Sequence, residues 1–379
     1  MFDLFKDRFD ITSSAYVQQR SKLLPEACEF VFRAFNDMCL DRKSLKGYHL
    51  YAADGTAVNI AKNDGSVTYM EEKNGSGGYN QFHVNTLYNL LNRTYKDAFI
   101  QPAPEMDEPS AAITMVRRSH LSKKDILITD RGYMGYNFFE TLKRLGVKFV
   151  CRVKNAGWTE LRELPDTRFD IDKAVELRTS QTVDDRKAFA AGTAKWISGP
   201  SKYGKEKKQV NWDYESPFVF RYRCVRFEIA SGVYETLITN LSREEFSIEE
   251  LKELYHLRWG IETSYRELKY AVGMVNFHCR KEAFALQEIF ARLTMYNFCE
   301  RITMAVVLEE CKSQRKHEYQ VNYTMAIHIC FNFFNCHNSK DPPDVEQQIR
   351  RYTLPVRPDR QDKRKIKPKS FVGFIYRVA

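Results

Sequence analysis

Residues 125–154, DILITDRGYMGYNFFETLKRLGVKFVCRVK, predict a strand, a turn, a helix and a second strand in direct succession. The apolar run at 126–128 predicts a short strand that ends at Asp130. Apolar residues spaced three and four apart then predict an amphipathic helix, which Gly146 would terminate. Residues 147–153 predict the next strand. A helix that connects two strands in this way is typical of a parallel sheet, so the segment predicts an α/β fold.

A second strand is predicted upstream, in YHLYAADGTAVNI, residues 48–60. Residues 48–53 are apolar and aromatic, which is typical of a buried strand, and they place Asp54 at its end, just before Gly55. An aspartate at the end of a strand is commonly only a turn former or a helix cap. That explanation stays open for Asp54 and for Asp130 when each is considered alone.

The segment YHLRWGIETSYRELK, residues 255–269, predicts a helix with two distinct faces. At about 100° per residue, one narrow stripe carries Tyr255, Arg258, Glu262 and Lys269. That stripe presents a carboxylate with two cations and a phenol, a combination suited to a divalent metal and to phosphate groups. An ordinary solvated face with ion pairs is the alternative. The neighbouring apolar stripe is expected to bury, and it consists of Leu254, Leu257, Ile261, Tyr265 and Leu268.

Asp54, Asp130 and Glu262 together predict a site with three carboxylates. Carboxylates that are crowded together repel one another unless a cation neutralises them. Hard oxygen ligands suit Mg²⁺ and Mn²⁺. These three residues are therefore the candidate catalytic and metal-binding residues.

Three motifs, in this order, resemble those of a known enzyme family. They are DGT at Asp54, TDRGY around Asp130, and Y-x2-R-x3-E-x6-K from Tyr255 to Lys269. With them the chain resembles the DDE transposases of bacterial insertion-sequence family four, which carry the YREK signature. The run into the last motif, TLITNLSREEFSIEELKELYHLRW, and the chain end, PKSFVGFIYRVA, are similar to that family as well. The likeness covers residues 11–379, and the last motif is its most specific part.

The resemblance implies an α/β fold, α+β overall, built on a ribonuclease-H-like catalytic core. Asp54 would lie on the first strand of that core, Asp130 just after the fourth strand, and Glu262 on a late helix. The expected domains are a helical N-terminal region that forms a partial DNA-binding domain, the first part of the core, a β-rich insertion, the second part of the core, and a helical and basic C-terminal region, at residues 1–45, 46–154, 155–240, 241–310 and 311–379.

The same resemblance implies a transposase that cuts and joins DNA with two divalent metal ions. Mg²⁺ is the expected ion, with Mn²⁺ as a substitute: one ion activates water or a 3′-hydroxyl, and the other stabilises the leaving oxygen of an in-line displacement. Tyr255, Arg258 and Lys269 would grip DNA near the cleaved end. The expected partners are double-stranded DNA of the transposon ends and of the target, and a second copy of the chain in a homodimer that brings two ends together.

Some relatives also flip a base onto an aromatic residue of the insertion, where stacking offsets the cost of extruding the base. Trp212 and Tyr234 are the candidates in this chain. Packing within a β-rich segment is the alternative for each residue.

Composition agrees with a polyanionic partner. The chain of 379 residues carries 59 basic and 49 acidic residues, a net charge of +10. Its 9 cysteines include no C-x-x-C pair, which favours a reducing compartment. The sequence has neither a signal peptide nor an uninterrupted apolar run long enough to span a membrane. We therefore expect a cytoplasmic protein without a membrane partner, and the family resemblance implies that it is bacterial and nucleoid-associated.

Three other functions stay open at this point. The chain can be a truncated copy that binds DNA and inhibits transposition, a metal-dependent nuclease that does not transpose, or a structural protein. Only 53 residues precede Asp54, fewer than relatives commonly have. In relatives a fuller N-terminal helical domain helps to read the transposon ends, and base contacts of this kind carry specificity. The resemblance therefore predicts that this chain binds DNA with little preference for those ends.

Overall fold

The structure is a computed structural model in which helices cover both faces of one large mixed sheet. It describes residues 12–39, 41, 43–71, 77–154, 158–162, 164–199, 212–306, 319–336, 343–355 and 375–376. The α/β class that the sequence predicted is confirmed. None of the helices in these ranges has the length and apolar character needed to cross a membrane.

The α-helices of the described residues are α1 Ser13–Arg20, α2 Ala27–Met38, α3 Glu108–Arg118, α4 Tyr136–Arg144, α5 Thr159–Arg162, α6 Val183–Ala190, α7 Ile248–His256, α8 Trp259–Arg266, α9 Glu282–Ala305, α10 Tyr323–Asn335 and α11 Val345–Arg351. Short 3₁₀ turns occupy Ala103–Glu105 and Arg131–Tyr133, and a π-helical turn occupies Glu267–Ala271.

The strands are β1 His49–Ile60, β2 Tyr69–Met70, β3 Tyr79–Asn89, β4 Thr94–Pro102, β5 Asp125–Thr129, β6 Lys148–Val153, β7 Phe169–Arg178, β8 Lys195–Trp196, β9 Phe218–Ala230, β10 Val233–Thr239, β11 Asn276–Phe277, β12 Tyr319–Val321, β13 Thr353–Pro355 and β14 Ile375–Tyr376.

The large sheet has the strand order β2–β3–β1–β5–β6–β10–β9–β7–β8, and β4 pairs with β3. β5 runs parallel to β6, as the strand–helix–strand pattern predicted, and it also runs parallel to β1. The register of β1 and β5 pairs Ala52 with Ile128. Asp54 and Asp130 each lie two residues beyond this pair in the same direction, so the parallel pairing carries both aspartates to the same region of the sheet.

The two faces of the sheet pack against different helices because side chains alternate along a strand. Ala52 belongs to a core that includes residues of α2, α8, α9 and α10, whereas Ala53 belongs to a core that includes residues of α3 and α4. A third core lies under α7, where Leu251 and Leu254 pack with Ile126 and Ile128 of β5. The predicted burial of α7 is thereby confirmed for Leu254.

The predicted end of β1 is wrong. The strand continues to Ile60, and Asp54 lies in its middle, paired opposite Thr86 of β3. Gly55 does not end the strand, because β3 supplies hydrogen-bonding partners along this whole stretch. Apolar residues also continue beyond the aspartate, where Val58 and Ile60 enter the first of the cores above.

The prediction of one continuous helix from Tyr255 to Lys269 is also wrong. At the junction of α7 and α8 a backbone hydrogen bond spans three residues instead of the four of an α-helix. The amide of Arg258 donates to the carbonyl of Tyr255 at 3.1 Å. After α8 the chain enters the π-helical turn. The junction changes the angle per residue where Leu257 lies, and Leu257 is 39 % exposed although it was expected to be buried. The other predicted members of the apolar stripe are buried.

Strands β7 to β10 lie within residues 155–240, where strands were expected, and they extend the large sheet because β10 pairs with β6. Helices α1 and α2 lie in the region expected to be a helical N-terminal segment. Residues 356–374, which belong to the expected basic C-terminal region, lie outside the described residues.

Candidate active site

Asp54 is held in the middle of β1 with most of its side chain buried. Its Oδ1 accepts a hydrogen bond of 2.9 Å from the amide of Gly55. Burial raises the pKa of the Asp54 carboxyl to about 7; the Gly55 amide and the Arg258 guanidinium oppose this rise, while Asp130 and Glu108 add to it. A raised pKa means that the surrounding protein compensates the charge of this carboxylate poorly.

Asp130 directly follows β5 and caps the turn Arg131–Tyr133. Its Oδ1 accepts a hydrogen bond of 2.7 Å from the amide of Gly132. Its charge acts on Asp54 and on the buried phenol of Tyr133. The structure therefore brings the first two predicted carboxylates together.

Glu262 is connected to this pair through Arg258. Its Oε1 accepts a hydrogen bond of 2.7 Å from the guanidinium of Arg258. The side chain of Glu262 is 40 % exposed, whereas that of Arg258 is only 7 % exposed. Arg258 also acts electrostatically on Asp54, so one buried guanidinium serves two of the three predicted carboxylates.

No three His, Cys, Asp or Glu side chains among the described residues converge in the way a single metal ion requires. The chemistry of the donors nevertheless fits a hard divalent cation, because Asp54, Asp130 and Glu262 offer carboxylate oxygens only. The raised pKa of Asp54 fits as well, since a bound cation would compensate its charge. For Glu262 to take part in such a site, a cation would have to replace Arg258 as its partner.

Glu108 is a site residue that the sequence reasoning missed. It is the first residue of α3, and its charge acts on both Asp54 and Tyr133. Its Oε1 lies 2.9 Å from Nε2 of His83, on β3. A glutamate in the first turn of a helix favours the helix dipole wherever it occurs, so the sequence offered no signal that this one reaches the site.

Tyr265 of α8 fastens the Glu262 helix to the strand of Asp54. Its hydroxyl donates a hydrogen bond of 2.6 Å to the backbone carbonyl of Asp54. The hydroxyl of Thr86 lies 2.7 Å from the same phenol oxygen. The sequence predicted that Tyr265 is buried, but it did not predict this polar contact.

All three residues expected to grip DNA are wholly or partly buried, and Arg258 is only 6 % exposed. Tyr255 is 3 % exposed, and burial raises its pKa to about 12. Its ring lies 5.7 Å from Cζ of Arg258, which it helps to cover. Lys269 lies in the π-helical turn, where partial burial lowers the pKa of its ammonium group. Tyr255 therefore packs beneath the site in this structure, and Lys269 keeps part of its surface exposed.

Trp212, a base-stacking candidate, is fully buried. Its ring packs against Tyr214 and Phe218, and its indole N–H donates a hydrogen bond of 2.9 Å to the carbonyl of Glu215. A base cannot stack on Trp212 in this structure, so the prediction is corrected to a packing role. The other candidate, Tyr234, is partly buried on β10.

A groove of about 870 Å³ opens beside the Asp130 turn. Its lining includes Tyr133, Arg117 and Trp196. Trp196 on β8 is 47 % exposed. The sequence reasoning passed over this tryptophan, and only its accessible position beside the turn distinguishes it from Trp212.

Comparison with known protein families matches residues 45–298 to the family described as transposase DDE domain. No curated protein matches the chain. Among solved structures, the chain is similar to a piggyBac transposase in a synaptic complex with hairpin DNA, with a TM-score of 0.43 and 8 % sequence identity. That similarity covers 79 % of this chain and 55 % of the piggyBac chain, so the chain spans little more than half the length of that relative.

Proposed function

The chain belongs to the transposase DDE domain family, whose match covers residues 45–298, and we propose that it cleaves DNA strands and transfers them to a new site. The finer assignment to insertion-sequence family four is part of this proposal. It is supported by the DGT, TDRGY and YREK motifs.

The observation that carries the proposal is the parallel register of β1 and β5. It brings Asp54 and Asp130 to the same part of the sheet, while Tyr265 ties the Glu262 helix to Asp54. Counting β1, β3, β4, β5 and β6 as the core strands, Asp54 lies on the first and Asp130 follows the fourth. This order supports a ribonuclease-H-like core, with β7 to β10 as the insertion that extends it.

Asp54, Asp130 and Glu262 would hold two divalent ions, Mg²⁺ or Mn²⁺. When bound, such ions activate a water or hydroxyl nucleophile and stabilise charge on the leaving oxygen. The chain's own residues fix the geometry: β1 and β5 hold two carboxylates rigidly, and Arg258 holds Glu262 until a cation takes its place. The buried surroundings of Asp54 keep its charge poorly screened, which strengthens its attraction for a cation.

Double-stranded DNA is the proposed substrate, at the ends of a mobile element and at its target. Lys269 is the member of the YREK set with surface left for phosphate contact, and the net charge of +10 favours such a partner. Two ends must be cut to release an element, so we propose a homodimer as the active assembly. Trp196 replaces Trp212 as the proposed stacking residue, because its exposed ring lines the groove beside Asp130.

Cleavage of a supercoiled plasmid that carries the gene with its native flanking DNA tests the proposal. Asp54→Ala, Asp130→Ala and Glu262→Ala should each abolish cleavage in Mg²⁺ or Mn²⁺ and spare DNA binding. Asp64→Ala is the matched control, because Asp64 lies in an exposed turn with its side chain 68 % accessible. Normal cleavage by a folded Glu262→Ala variant would refute the assignment.

Strand transfer separates a transposase from a metal-dependent nuclease on the same fold. The wild-type chain should join the cleaved 3′ ends to a second plasmid. Cleavage without joining would favour the nuclease, and DNA binding without cleavage would favour an inhibitory copy.

A further inference from the structure

Glu108 lies beside the candidate active site, although none of the three motifs contains it. Its Oε1 faces His83 Nε2 at 2.9 Å. The side chain of His83 is 10 % exposed and that of Glu108 is 25 % exposed, so the pair is largely shielded from solvent. A shielded contact of this kind fixes the direction of the carboxylate more firmly than an exposed one.

The glycines of both aspartate motifs make room for Glu108. At Gly55, which follows Asp54, an added Cβ would lie 2.0 Å from Nε2 of His83 and 2.5 Å from Oε1 of Glu108. At Gly132, two residues after Asp130, an added Cβ would lie 3.0 Å from Oδ1 of Asp130 and 3.7 Å from Oε2 of Glu108. One oxygen of the Glu108 carboxylate thus lies against Gly55, next to Asp54, and the other lies near Gly132, two residues after Asp130.

Tyr133 gives a second, independent indication that this cluster receives a ligand. The residue is 1 % exposed, and its hydroxyl is buried without a hydrogen-bond partner in the described structure. Besides burial, the charges of Glu108, Asp54 and Asp130 act on this phenol. A buried hydroxyl without a partner costs free energy, and a hydrated cation among these carboxylates would give it one.

Helix capping does not explain the position of Glu108. The cap of α3 is Asp107, whose side chain accepts a hydrogen bond of 3.1 Å from the amide of Ser110. A favourable interaction with the helix dipole requires only that a carboxylate lie near the first turn. Neither role requires the close approach to Gly55 and Gly132.

We propose that Glu108 is a fourth carboxylate of the candidate active site, oriented by His83, and that it helps Asp54 and Asp130 to hold a divalent cation. This inference rests on the proposed function, because it assumes that the cation binds at those aspartates. Because no three of these side chains converge on one point in the described structure, Glu108 would act on the cation through a bound water molecule, and His83 would act as the positioning residue.

Binding of Mn²⁺ to the full chain without DNA tests the inference independently of activity, with free Mn²⁺ followed by electron paramagnetic resonance. Glu108→Gln should weaken Mn²⁺ binding by about 10-fold or more, the range in which metal sites respond to the loss of a supporting group. Glu108→Asp should retain more of the affinity than Glu108→Gln, because it keeps the charge. Glu105→Gln is the matched control, since Glu105 is an exposed glutamate three residues earlier and should bind as wild type does.

Asp54→Asn distinguishes a failure of this inference from a failure of the proposed function. If Asp54→Asn weakens Mn²⁺ binding and a folded Glu108→Gln does not, only the role of Glu108 is overturned. If neither variant changes Mn²⁺ binding, the metal site itself is refuted. Should Glu108→Gln not fold, His83→Asn decides: it leaves the carboxylate without its anchor and should weaken binding severalfold, and unchanged binding would overturn the inference.

Discussion

The hydroxyl of Tyr265 donates a hydrogen bond of 2.6 Å to the backbone carbonyl of Asp54. This contact joins the helix of Glu262 to the strand of Asp54, two elements that lie far apart in the chain. Tyr265 is 7 % exposed, so the bond forms in a shielded environment. It ties the helix that carries the third predicted carboxylate to the strand that carries the first.

Tyr265→Phe removes this bond and keeps the ring. We expect the free energy of unfolding to fall by about 1–2 kcal/mol, because the buried carbonyl loses one hydrogen-bond partner. We also expect DNA cleavage to slow by a larger factor than this loss of stability explains. Urea unfolding and single-turnover cleavage measure the two effects. Tyr270→Phe is the control, since Tyr270 is 72 % exposed on the same stretch; equal cleavage by both variants would contradict the positioning role.

The raised pKa of Asp54 predicts a pH-dependent stability. The carboxyl titrates near 3.8 in the unfolded chain and near 7 in the folded protein, so the folded state binds more protons between these values. Stability is therefore lost as the pH rises from about 4 to about 7. Without metal, Asp54→Asn should be more stable than wild type at pH 8, by up to about 4 kcal/mol, and should lose this advantage near pH 4.

Thermal unfolding in EDTA at both pH values measures the effect. Added Mg²⁺ should raise the melting temperature of wild type more than that of Asp54→Asn. A variant that gains no stability at pH 8 would show that the Asp54 charge is already compensated in the folded protein.

Gly55→Ala tests the close approach of His83 and Glu108 to β1. The new Cβ would overlap both side chains, and overpacking of this kind costs about 1–3 kcal/mol. We expect lower stability together with weaker Mn²⁺ binding. Gly65→Ala is the control, because the nearest atom to its added Cβ would be 3.8 Å away. If a folded Gly55→Ala variant binds Mn²⁺ as wild type does, the space at Gly55 is not needed for metal binding.

Substitutions of Arg258 and of Lys269 should change the salt dependence of DNA binding differently. Lys269→Ala should weaken DNA binding and reduce the slope of log affinity against log salt by about 1, the effect of losing one phosphate contact. Arg258→Ala should leave that slope unchanged and impair cleavage, because its guanidinium is buried against Glu262. Fluorescence anisotropy over a range of salt concentrations measures the slopes. A slope lowered equally in both variants would show that Arg258 reaches the DNA.

Substitutions of the buried Trp212 and of the exposed Trp196 should have different effects on stability and on cleavage. Trp212→Ala should destabilise the chain by about 3–5 kcal/mol, because a fully buried aromatic ring is removed. Trp196→Ala should leave stability within about 0.5 kcal/mol of wild type, as is usual at exposed positions, and should reduce cleavage of substrates that require an extruded base. Fluorescence of 2-aminopurine placed next to the cleavage site would detect the stacking, and an unchanged signal in Trp196→Ala would return Trp196 to an ordinary surface residue.

The sequence alone determined many of the local elements and the position of Asp130 directly after β5. Short apolar runs, a 3.6-residue periodicity and a terminating glycine are local signals, so the strand–helix–strand unit and its parallel pairing could be predicted. Ser247 and Glu250 form a capping box at the start of α7, which is also a local signal. Helical spacing from Tyr255 to Lys269 added Glu262, since this spacing is also a local signal.

Only the tertiary structure decided how these residues meet. The approach of Glu108 and His83 to Gly55 depends on packing between α3, β1 and β3, which no local pattern encodes. The burial of Tyr255 and Trp212 depends on neighbours that are distant in the sequence, and a periodicity that assumes an uninterrupted helix could not anticipate the 3₁₀ junction or the π-helical turn. Residue chemistry and spacing are properties of the chain, whereas burial, charge compensation and contact arise only when separate segments pack together.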